Sequence, residues 1–446
     1  MLRNMVMAFL VVYLTFLNAA LWTSAGLDDD AKSSPKTAQS KNSRDKPADK
    51  SDPPANSAAS ETGAEKSQAA PQKDPLEEWA ALTTRKFEIA QRLRKLRDEF
   101  YQTDDVGKKK IRDEFTSLTT EFQFDIARRM LELAPQVYEK SPDEIEAAEY
   151  VMEAAFNNNR YAEALEIAEK LLAGKQRTKY TNHLAANIVG AANFALNNFE
   201  KCREILKASE EQGELDSEHG HRFLAQVDDY IEFWKKEQAI RDREDKATGD
   251  DRLPLVELIV HRGEKPLGRV EMVLFENEAP NTVANFISIV EGKEKNYTRV
   301  KFHRVIRNFM AQTGDFDVPS KKPLDYTIQC ECYQENARKH FRGSVSMALR
   351  GRDTGDSQFF LTHLPTYWLN IDDNPDSVHT VFGRIVAGMD IVDRIEEGDV
   401  IASAKVLFKR NHSYQPMTVP NAKPSAPSKR DDKTGSKSIN NPKDRK

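Results

Sequence analysis

The sequence predicts a multidomain protein in which an all-α, helical-repeat-like region precedes a mainly-β closed barrel with two helices. Apolar residues recur at helical spacing from Trp79 to about Lys246, and beyond Asp250 their spacing changes to the alternation that is typical of strands. A chain of 446 residues is also longer than one ordinary domain. We therefore expect two folded parts, a helical region over 76–248 and a barrel over 251–412.

Composition and charge exclude several classes of function. Charged residues make up 31% of the chain, but the net charge is only -5 and both signs are mixed, so no nucleic-acid-binding surface is expected. No nucleophile stands in a motif with a base, which argues against a serine or cysteine hydrolase. The cysteines and the C-terminal histidines follow no spacing of metal ligands: Cys202, Cys330, Cys332, His303, His363 and His379. We predict neither a metal nor a cofactor.

Residues 1–25 have the pattern of a targeting segment. The single basic residue Arg3 precedes an apolar run from Met5 to Trp22, and the small residues Ser24 and Ala25 follow as a cleavage site. This pattern predicts a signal peptide. The apolar run also approaches the roughly 20 residues that span a bilayer, so an uncleaved membrane anchor over residues 5–22 is the alternative. Either interpretation places the protein outside the cytoplasm, in the periplasm or cell envelope.

Two further segments lack the large apolar side chains from which a core is built. Residues 26–75 are rich in Ser, Ala, Lys, Asp and Pro, and residues 413–446 are rich in Pro, Ser, Lys and Asn. Such segments cannot bury enough apolar surface to offset the entropy lost on ordering. We predict a disordered linker and a disordered tail.

The helical region begins with two amphipathic stretches separated by a turn at Thr103–Gly107. Their apolar residues recur at helical spacing: Leu82, Ile89, Leu93, Leu96 and Phe100, then Ile111, Phe115, Leu118, Phe122 and Ile126. Facing apolar stripes predict an antiparallel helical hairpin, with a partner-binding coiled coil as the alternative. Pro135 is expected to end this region, and a capping box at Ser141–Glu144 to start the next helix.

A weak internal repeat follows, over residues 154–172 and 191–209. In each copy a helix of small residues leads into an Asn-rich turn, an aromatic residue and a second amphipathic helix. The aromatic residues are Tyr161 and Phe199, 38 positions later. This unit resembles the tetratricopeptide repeat, whose period is about 34 residues. Such a solenoid would hold a partner protein in its groove, or would serve only as a spacer.

The barrel is predicted from short strands punctuated by two helices. Alternating apolar runs at 255–260 and 270–275 read as strands, Pro280 opens a helix through Val290, and a second short helix lies near Met389–Ile395. Many short strands with few helices suit a closed barrel.

Three strings within this region resemble the cyclophilin family of peptidyl-prolyl isomerases. They are FHRVIRNFMAQTGDF (Phe302–Phe316), SMALRGRDTGDSQFF (Ser346–Phe360) and VHTVFGRIVAGMDIVDRI (Val378–Ile395). The resemblance covers about Leu255 to Lys409. It implies a cyclophilin-like barrel that catalyses rotation about X-Pro bonds in proline-containing polypeptide clients and assists their folding.

The resemblance also implies the roles of individual residues. Arg304 would donate toward the prolyl nitrogen in the twisted state, and Gln312 would orient Arg304 and the substrate backbone. The implied substrate-binding residues are Phe302, His303, Phe309, Met310, Ala348, Phe360, Trp368, Leu369 and His379. Phe359 is expected in the core.

The sequence departs from the family pattern at several positions beside this site. Thr313 stands where the family has glycine, Leu349 and Arg350 replace an Asn-Ala pair, and residues 371–377 lengthen the turn before His379. These departures motivate the alternative of a cyclophilin-fold module or scaffold that binds proline-containing peptides with little turnover.

Overall fold

The computed structural model describes residues 73–175, 178–293, 295–316, 323–372, 375 and 378–420. The predicted signal peptide or anchor, nearly all of the predicted linker and the tail beyond residue 420 lie outside these residues. Within the described ranges, no helix combines the length and the apolar character needed to cross a membrane. The chain divides into two compact units after Ala147.

The first unit is helical. Its elements are α1 (Pro75–Phe100), α2 (Asp105–Glu121), a π-helical segment (Phe122–Ala127) and α3 (Arg128–Lys140). Arg85 of α1 pairs with Glu121, the last residue of α2, and Arg92 pairs with Glu114, about two turns earlier in α2. This order of pairs means that α1 and α2 run antiparallel, as the apolar spacing predicts.

Pro135 lies inside α3 and does not end it, so this prediction was wrong. The next helix begins at Ile145, after the predicted start at Ser141–Glu144. An internal proline removes one helical hydrogen bond at a cost of about 3 kcal/mol. The helix continues because its apolar face is almost fully buried, with exposures of 0% to 2% at Met130, Leu133 and Val137.

Further helices occupy residues 145–244. They are α4 (Ile145–Asn157), α5 (Tyr161–Ala173), α6 (Lys179–Ala195), α7 (Phe199–Glu211) and α8 (Glu218–Glu244). The predicted helical region is therefore present. Asn159, between α4 and α5, and Asn197, between α6 and α7, both adopt positive φ values of 63° and 64°. Asparagine tolerates this left-handed conformation better than most residues, which explains the Asn-rich turns.

The C-terminal part is an antiparallel sheet. Its strands are β1 (Leu255–Arg262), β2 (Lys265–Leu274), β3 (Val300–Lys301), β4 (Arg304–Ile306), β5 (Met310–Thr313), β6 (Tyr326–Thr327), β7 (Ser344–Met347), β8 (Phe359–Thr362), β9 (Val381–Ala387), β10 (Val400–Phe408) and β11 (Val419–Pro420). The main sheet has the order β3-β10-β1-β2-β9-β7-β8-β5-β4. Its end strands β3 and β4 are separated in the chain only by Phe302 and His303, so the sheet curls on itself, consistent with the predicted cyclophilin-like fold.

Two helices pack on this sheet, α9 (Pro280–Val290) and α10 (Met389–Arg394). Phe286 of α9 lies at the centre of the barrel core, with its ring 5.1 to 5.2 Å from the rings of Tyr297, Phe359 and Phe382. Phe359 has no exposed surface, which confirms its expected place in the core.

The described residues continue past residue 412, after which a disordered tail was predicted, to residue 420. Tyr414 is 5% exposed, and its hydroxyl donates to Glu276 at 2.7 Å. The strand β11 then pairs with β6. A buried aromatic ring and a short ladder hold residues 413–420 against the barrel, which a composition-based prediction could not anticipate.

The helices α5–α8 and the barrel share a core. Phe341 and Leu364 of the barrel belong to the same buried cluster as Phe199 and Tyr230 of the helices. The ring of Phe341 lies 5.6 Å from that of Tyr230. Apolar packing therefore crosses the sequence boundary predicted near residue 250.

Candidate active site

The two predicted catalytic side chains meet on the hairpin formed by β4 and β5. Arg304 is the cross-strand partner of Gln312, and its Nη1 donates to Oε1 of Gln312 at 3.3 Å. Met310, two residues before Gln312, projects to the same face because side chains alternate along a strand. The hairpin thus groups a cation, an amide and a thioether within nine residues.

Protein contacts hold the guanidinium of Arg304 in place but leave some of its N–H donors available. Its Cζ lies 5.8 Å from the centre of the Phe309 ring, and Nη1 lies 3.9 Å from Sδ of Met310. Arg304 is exposed, and it forms no ion pair with any residue that the structure describes. Its remaining N–H groups are therefore able to donate to a substrate.

A cluster of apolar side chains lies next to this arginine, and we call it the apolar pocket. Met310, Phe360 and Leu369 form one cluster with exposures of 1%, 3% and 7%, and the half-buried Phe309, Ala348 and Trp368 pack around it. Phe360 enters the pocket because β8 pairs with β5, which places Phe360 opposite Gln312. Leu369 and Trp368 come from a single 3-10 turn, Tyr367–Leu369. The pocket suits a small apolar ring.

His379 forms one wall of this pocket. Its ring meets the Phe360 ring edge-on at 5.4 Å, and its Nδ1 lies 2.9 Å from the carbonyl oxygen of Met347. Burial lowers the pKa of His379, which favours the neutral imidazole. The longer turn before this residue does not remove it from the pocket, because its backbone N–H donates to the carbonyl of Leu369 at 3.3 Å.

Phe302 and His303 occupy different environments. Phe302 has 0% exposure and belongs to the main barrel core, so its side chain supports the site from within and does not line the pocket as predicted. His303 is half-buried, and its backbone N–H donates to the carbonyl of Gln312 at 3.1 Å. The correction for Phe302 follows from the position of the residue between the two end strands, where its ring turns inward.

Gln358 is a site residue that sequence reasoning missed. Nε2 of Gln312 donates to Oε1 of Gln358 at 3.1 Å, and the backbone N–H of Ala348 donates to the carbonyl of Gln358 at 2.9 Å. Gln358 therefore connects the amide beside Arg304 to the pocket wall. The signal was its position two residues before Phe360, which places both side chains on one face of an extended chain.

A cavity of about 330 Å³ adjoins the pocket at Gln312 and Ala348. The departures from the family pattern at Leu349 and Arg350 lie in its wall. Among the residues that the structure describes, its lining is Gln312, Asp315, Phe316, Pro323, Leu324, Thr327, Ala348, Leu349, Arg350, Thr354, Asp356, Ser357 and Gln358. This space would receive the residues of a peptide that flank its proline.

The third departure, Thr313, is accommodated without backbone strain. Thr313 is fully buried, and its hydroxyl donates to the carbonyl of Lys301 at 2.9 Å. The left-handed conformation falls on the next residue, Gly314, with φ 88°. A Cβ at Gly314 would lie 2.2 Å from the carbonyl oxygen of Ser357, so glycine is required there and not at residue 313.

Comparison with protein families identifies the domain that carries this site. Residues 257–413 match the family described as "Cyclophilin type peptidyl-prolyl cis-trans isomerase/CLD". The match contains the whole catalytic hairpin, the apolar pocket and both helices of the barrel.

Individual relatives support the same assignment. The chain is 42% identical over 139 residues to a peptidyl-prolyl cis-trans isomerase of Helicobacter pylori. The aligned residues make up 30% of this chain and 79% of that protein. It is 38% identical over 138 residues to peptidyl-prolyl cis-trans isomerase B of Bacillus subtilis, 31% of this chain and 90% of that protein. It is 37% identical over 164 residues to peptidyl-prolyl cis-trans isomerase D of Saccharomyces cerevisiae, and the aligned residues make up 35% of this chain and 69% of that protein. With its C-terminal isomerase domain, the chain belongs to the cyclophilin-type peptidyl-prolyl cis-trans isomerases.

Proposed function

We propose that this isomerase acts on X-Pro bonds of protein clients outside the cytoplasm and assists their folding. The observation that carries the proposal is the exposed guanidinium of Arg304, held by Gln312 beside the pocket of Met310, Phe360 and Leu369. A fixed cation next to apolar side chains that can contact a proline ring is what rotation about an X-Pro bond needs.

The chemistry requires no bond to break. Rotation about a peptide bond faces a barrier of about 18–20 kcal/mol, because the nitrogen lone pair is shared with the carbonyl. In the twisted state this sharing is lost and the prolyl nitrogen becomes a hydrogen-bond acceptor. Arg304 would donate to that nitrogen, an interaction that is stronger in the twisted state than in the planar one. Guanidinium suits this role because it stays charged at every working pH.

The surrounding groups would hold the substrate while one side of the bond rotates. The proline ring would enter the cluster of Met310, Phe360 and Leu369, and the Gln312 amide would contact the substrate backbone. Because Gln358 accepts a hydrogen bond from Gln312, the Gln312 side chain is oriented before the substrate arrives. Such preorganisation lowers the cost of reaching the twisted state.

The proposed location rests on residues 1–25 and the polar segment that follows them. A signal peptide would release the mature protein, whereas an anchor over residues 5–22 would tether it, with residues 26–75 as a spacer. Cell fractionation together with N-terminal sequencing of the mature protein tests this. A chain found in the cytoplasm with its first residues intact would overturn the proposed location. In either form, released or tethered, the helical region would hold a client or a partner protein.

The isomerase proposal is tested on the full chain, since the barrel shares its core with helices α5–α8. Exchange between cis and trans NMR signals of a proline-containing peptide, and the refolding of a protein limited by proline isomerisation, should both be accelerated. Wild-type activity retained in Arg304→Ala would exclude the proposed role of the arginine.

A second candidate is a binding module with little turnover, favoured by Leu349 and Arg350 in the wall of the adjoining cavity. A module of this kind would bind the same peptide in a titration without accelerating cis–trans exchange. Replacing both residues by the Asn-Ala pair of the family would then increase the exchange rate in the presence of the protein.

A further inference from the structure

The turn at the tip of the catalytic hairpin is held by residues of the helical region. Asn308 lies between β4 and β5, four residues from both Arg304 and Gln312, and has a left-handed φ of 55°. Its backbone N–H donates to Oδ1 of Asn159 at 2.7 Å, and its side-chain oxygen accepts a hydrogen bond from the Tyr161 hydroxyl at 2.9 Å. Both the backbone and the side chain of the hairpin tip are therefore bound from outside the barrel.

These contacts are buried and directional. Asn159 is 0% exposed and Tyr161 is 1% exposed. The Asn159 amide also donates through Nδ2 to the carbonyl of Asp393 at 3.2 Å, so both ends of its side chain bind the barrel. A buried amide with both ends satisfied adopts one orientation, because any other leaves a polar group unpaired.

The turn between α6 and α7 makes a similar contact with the barrel, away from the hairpin. Asn197, 38 positions after Asn159 and with the same left-handed backbone, accepts through Oδ1 from the backbone N–H of Arg342 at 3.3 Å. The two repeats thus present equivalent asparagines to the barrel, but only Asn159 binds the strand connection that carries the catalytic groups.

We propose that Asn159 and Tyr161 are positioning residues of the isomerase, which hold the β4–β5 hairpin so that Arg304 faces the apolar pocket. The hairpin lies at one end of the sheet, where β4 pairs only with β5 among the described strands. The barrel holds the residues beside the tip: Nη1 of Arg307 donates to the carbonyl of Asp393 at 2.7 Å, and the carbonyl of Phe309 accepts from the backbone N–H of His363 at 2.9 Å. The turn between α4 and α5 adds the restraint on Asn308 itself. The helical region is in this respect part of the catalytic framework, in addition to any partner that it binds.

The inference rests on the proposed role of Arg304, and its test separates the two. Asn159→Gly removes all three side-chain hydrogen bonds of this residue, to Asp393, Asn308 and Tyr161, but permits the left-handed backbone, so strain is not introduced. We expect kcat/KM for a proline-containing peptide to fall about tenfold, mainly through kcat, because small displacements of a catalytic group are costly. Tyr161→Phe, which removes one hydroxyl, should give a smaller loss and serves if Asn159→Gly does not fold.

The matched control is Asn197→Gly, which makes the same chemical change in the other repeat. Asn197 is half-buried and its Oδ1 accepts one hydrogen bond at 3.3 Å, so this variant should lower the thermal unfolding temperature by less and leave kcat/KM near the wild-type value. A second readout is independent of activity: the amide signals of Arg304–Gln312 in NMR spectra, and hydrogen exchange at Asn308, should change in Asn159→Gly and Tyr161→Phe but not in Asn197→Gly.

Two results would overturn the inference. One is an unchanged hairpin, with wild-type amide signals and exchange at Asn308, in both Asn159→Gly and Tyr161→Phe. The other is an equal loss of kcat/KM in Asn197→Gly, which would assign the effect to stability alone. If the wild-type chain showed no isomerase activity, the role of Arg304 would fail, while the NMR readout would still decide whether Asn159 positions the hairpin.

Discussion

Arg338 of the barrel and Glu237 of α8 form a buried, two-pronged ion pair. Nε and Nη2 of Arg338 each donate to one carboxylate oxygen of Glu237 at 2.8 Å, and the two side chains are 2% and 5% exposed. Nη1 of Arg338 also donates to Glu244 at 2.7 Å, and its Cζ lies 3.8 Å from the centre of the Phe275 ring. This pair connects the last long helix to the barrel at the predicted domain boundary.

Removing one partner of this pair should destabilise the helices and the barrel together. In Arg338→Met, Glu237 and Glu244 remain buried with less compensation, which typically costs about 3–5 kcal/mol. Urea unfolding followed by both circular dichroism and tryptophan fluorescence measures this loss. The control Arg222→Met removes an exposed ion pair with Glu218 on the same helix and should cost less than about 1 kcal/mol. Equal losses in the two variants would contradict the prediction.

Arg304→Lys tests whether charge alone is sufficient at the site. Lysine keeps the positive charge but loses the planar set of donors that binds Gln312 and faces the pocket. We expect kcat/KM to fall roughly one hundredfold, as for loss of a donor that stabilises the transition state. Peptide isomerisation measured by NMR exchange gives the rate, and unchanged peptide affinity would place the loss in kcat. Arg352→Lys, an exposed site away from the pocket, is the control.

Gln358 should act mainly through its hydrogen bond to Gln312. Gln358→Leu removes the acceptor for Nε2 of Gln312, and the loss of one hydrogen bond of about 0.5–1.5 kcal/mol predicts a two- to tenfold lower kcat/KM. Gln358→Glu keeps an oxygen acceptor and should retain most of the activity. If the Leu and Glu variants were equally impaired, the orienting hydrogen bond would not be the cause.

A buried histidine should make stability depend on pH. His340 is 1% exposed and lies between Asn370 and Ser346, and burial lowers its pKa from 6.5 to about 3. Below pH 6.5 the unfolded chain binds a proton that the folded protein does not, so stability is complete above pH 6.5 and is lost as the pH falls toward 3.

Between these two pKa values the free energy of unfolding falls by about 1.4 kcal/mol for each pH unit, for every histidine that stays neutral in the folded protein. Urea unfolding between pH 7.5 and pH 4.5 measures it. His340→Gln should reduce the slope by the contribution of one proton, even if it lowers the stability at pH 7.5. The same slope in both proteins would show that His340 is not the group responsible.

Much of the site was predictable because its residues are close in the chain. Arg304, Phe309, Met310 and Gln312 lie within nine residues, and strand alternation places Met310 and Gln312 on one face. The helix Pro280–Val290 was also predictable to the residue, since a proline opens it and a glycine follows its end. Local rules of this kind require no knowledge of distant contacts.

Other features could not be read locally. Phe302 looked like a pocket residue in its motif, yet the curl of the sheet turns its ring into the core. Pro135 looked like a helix end, yet burial of the neighbouring apolar face carries the helix through it. Gln358 was within a recognised string, but its role depends on the pairing of β5 with β8.

The sequence by itself determined the cyclophilin-type barrel, the helical region before it and the grouping of the arginine with its apolar pocket. Only the tertiary structure decided that the helices share a core with the barrel and bind the catalytic hairpin. The physical reason is separation along the chain. Asn159 and Asn308 are 149 positions apart, and Glu237 and Arg338 are 101 positions apart. The residues next to these side chains in the sequence do not indicate which distant residue each of them binds.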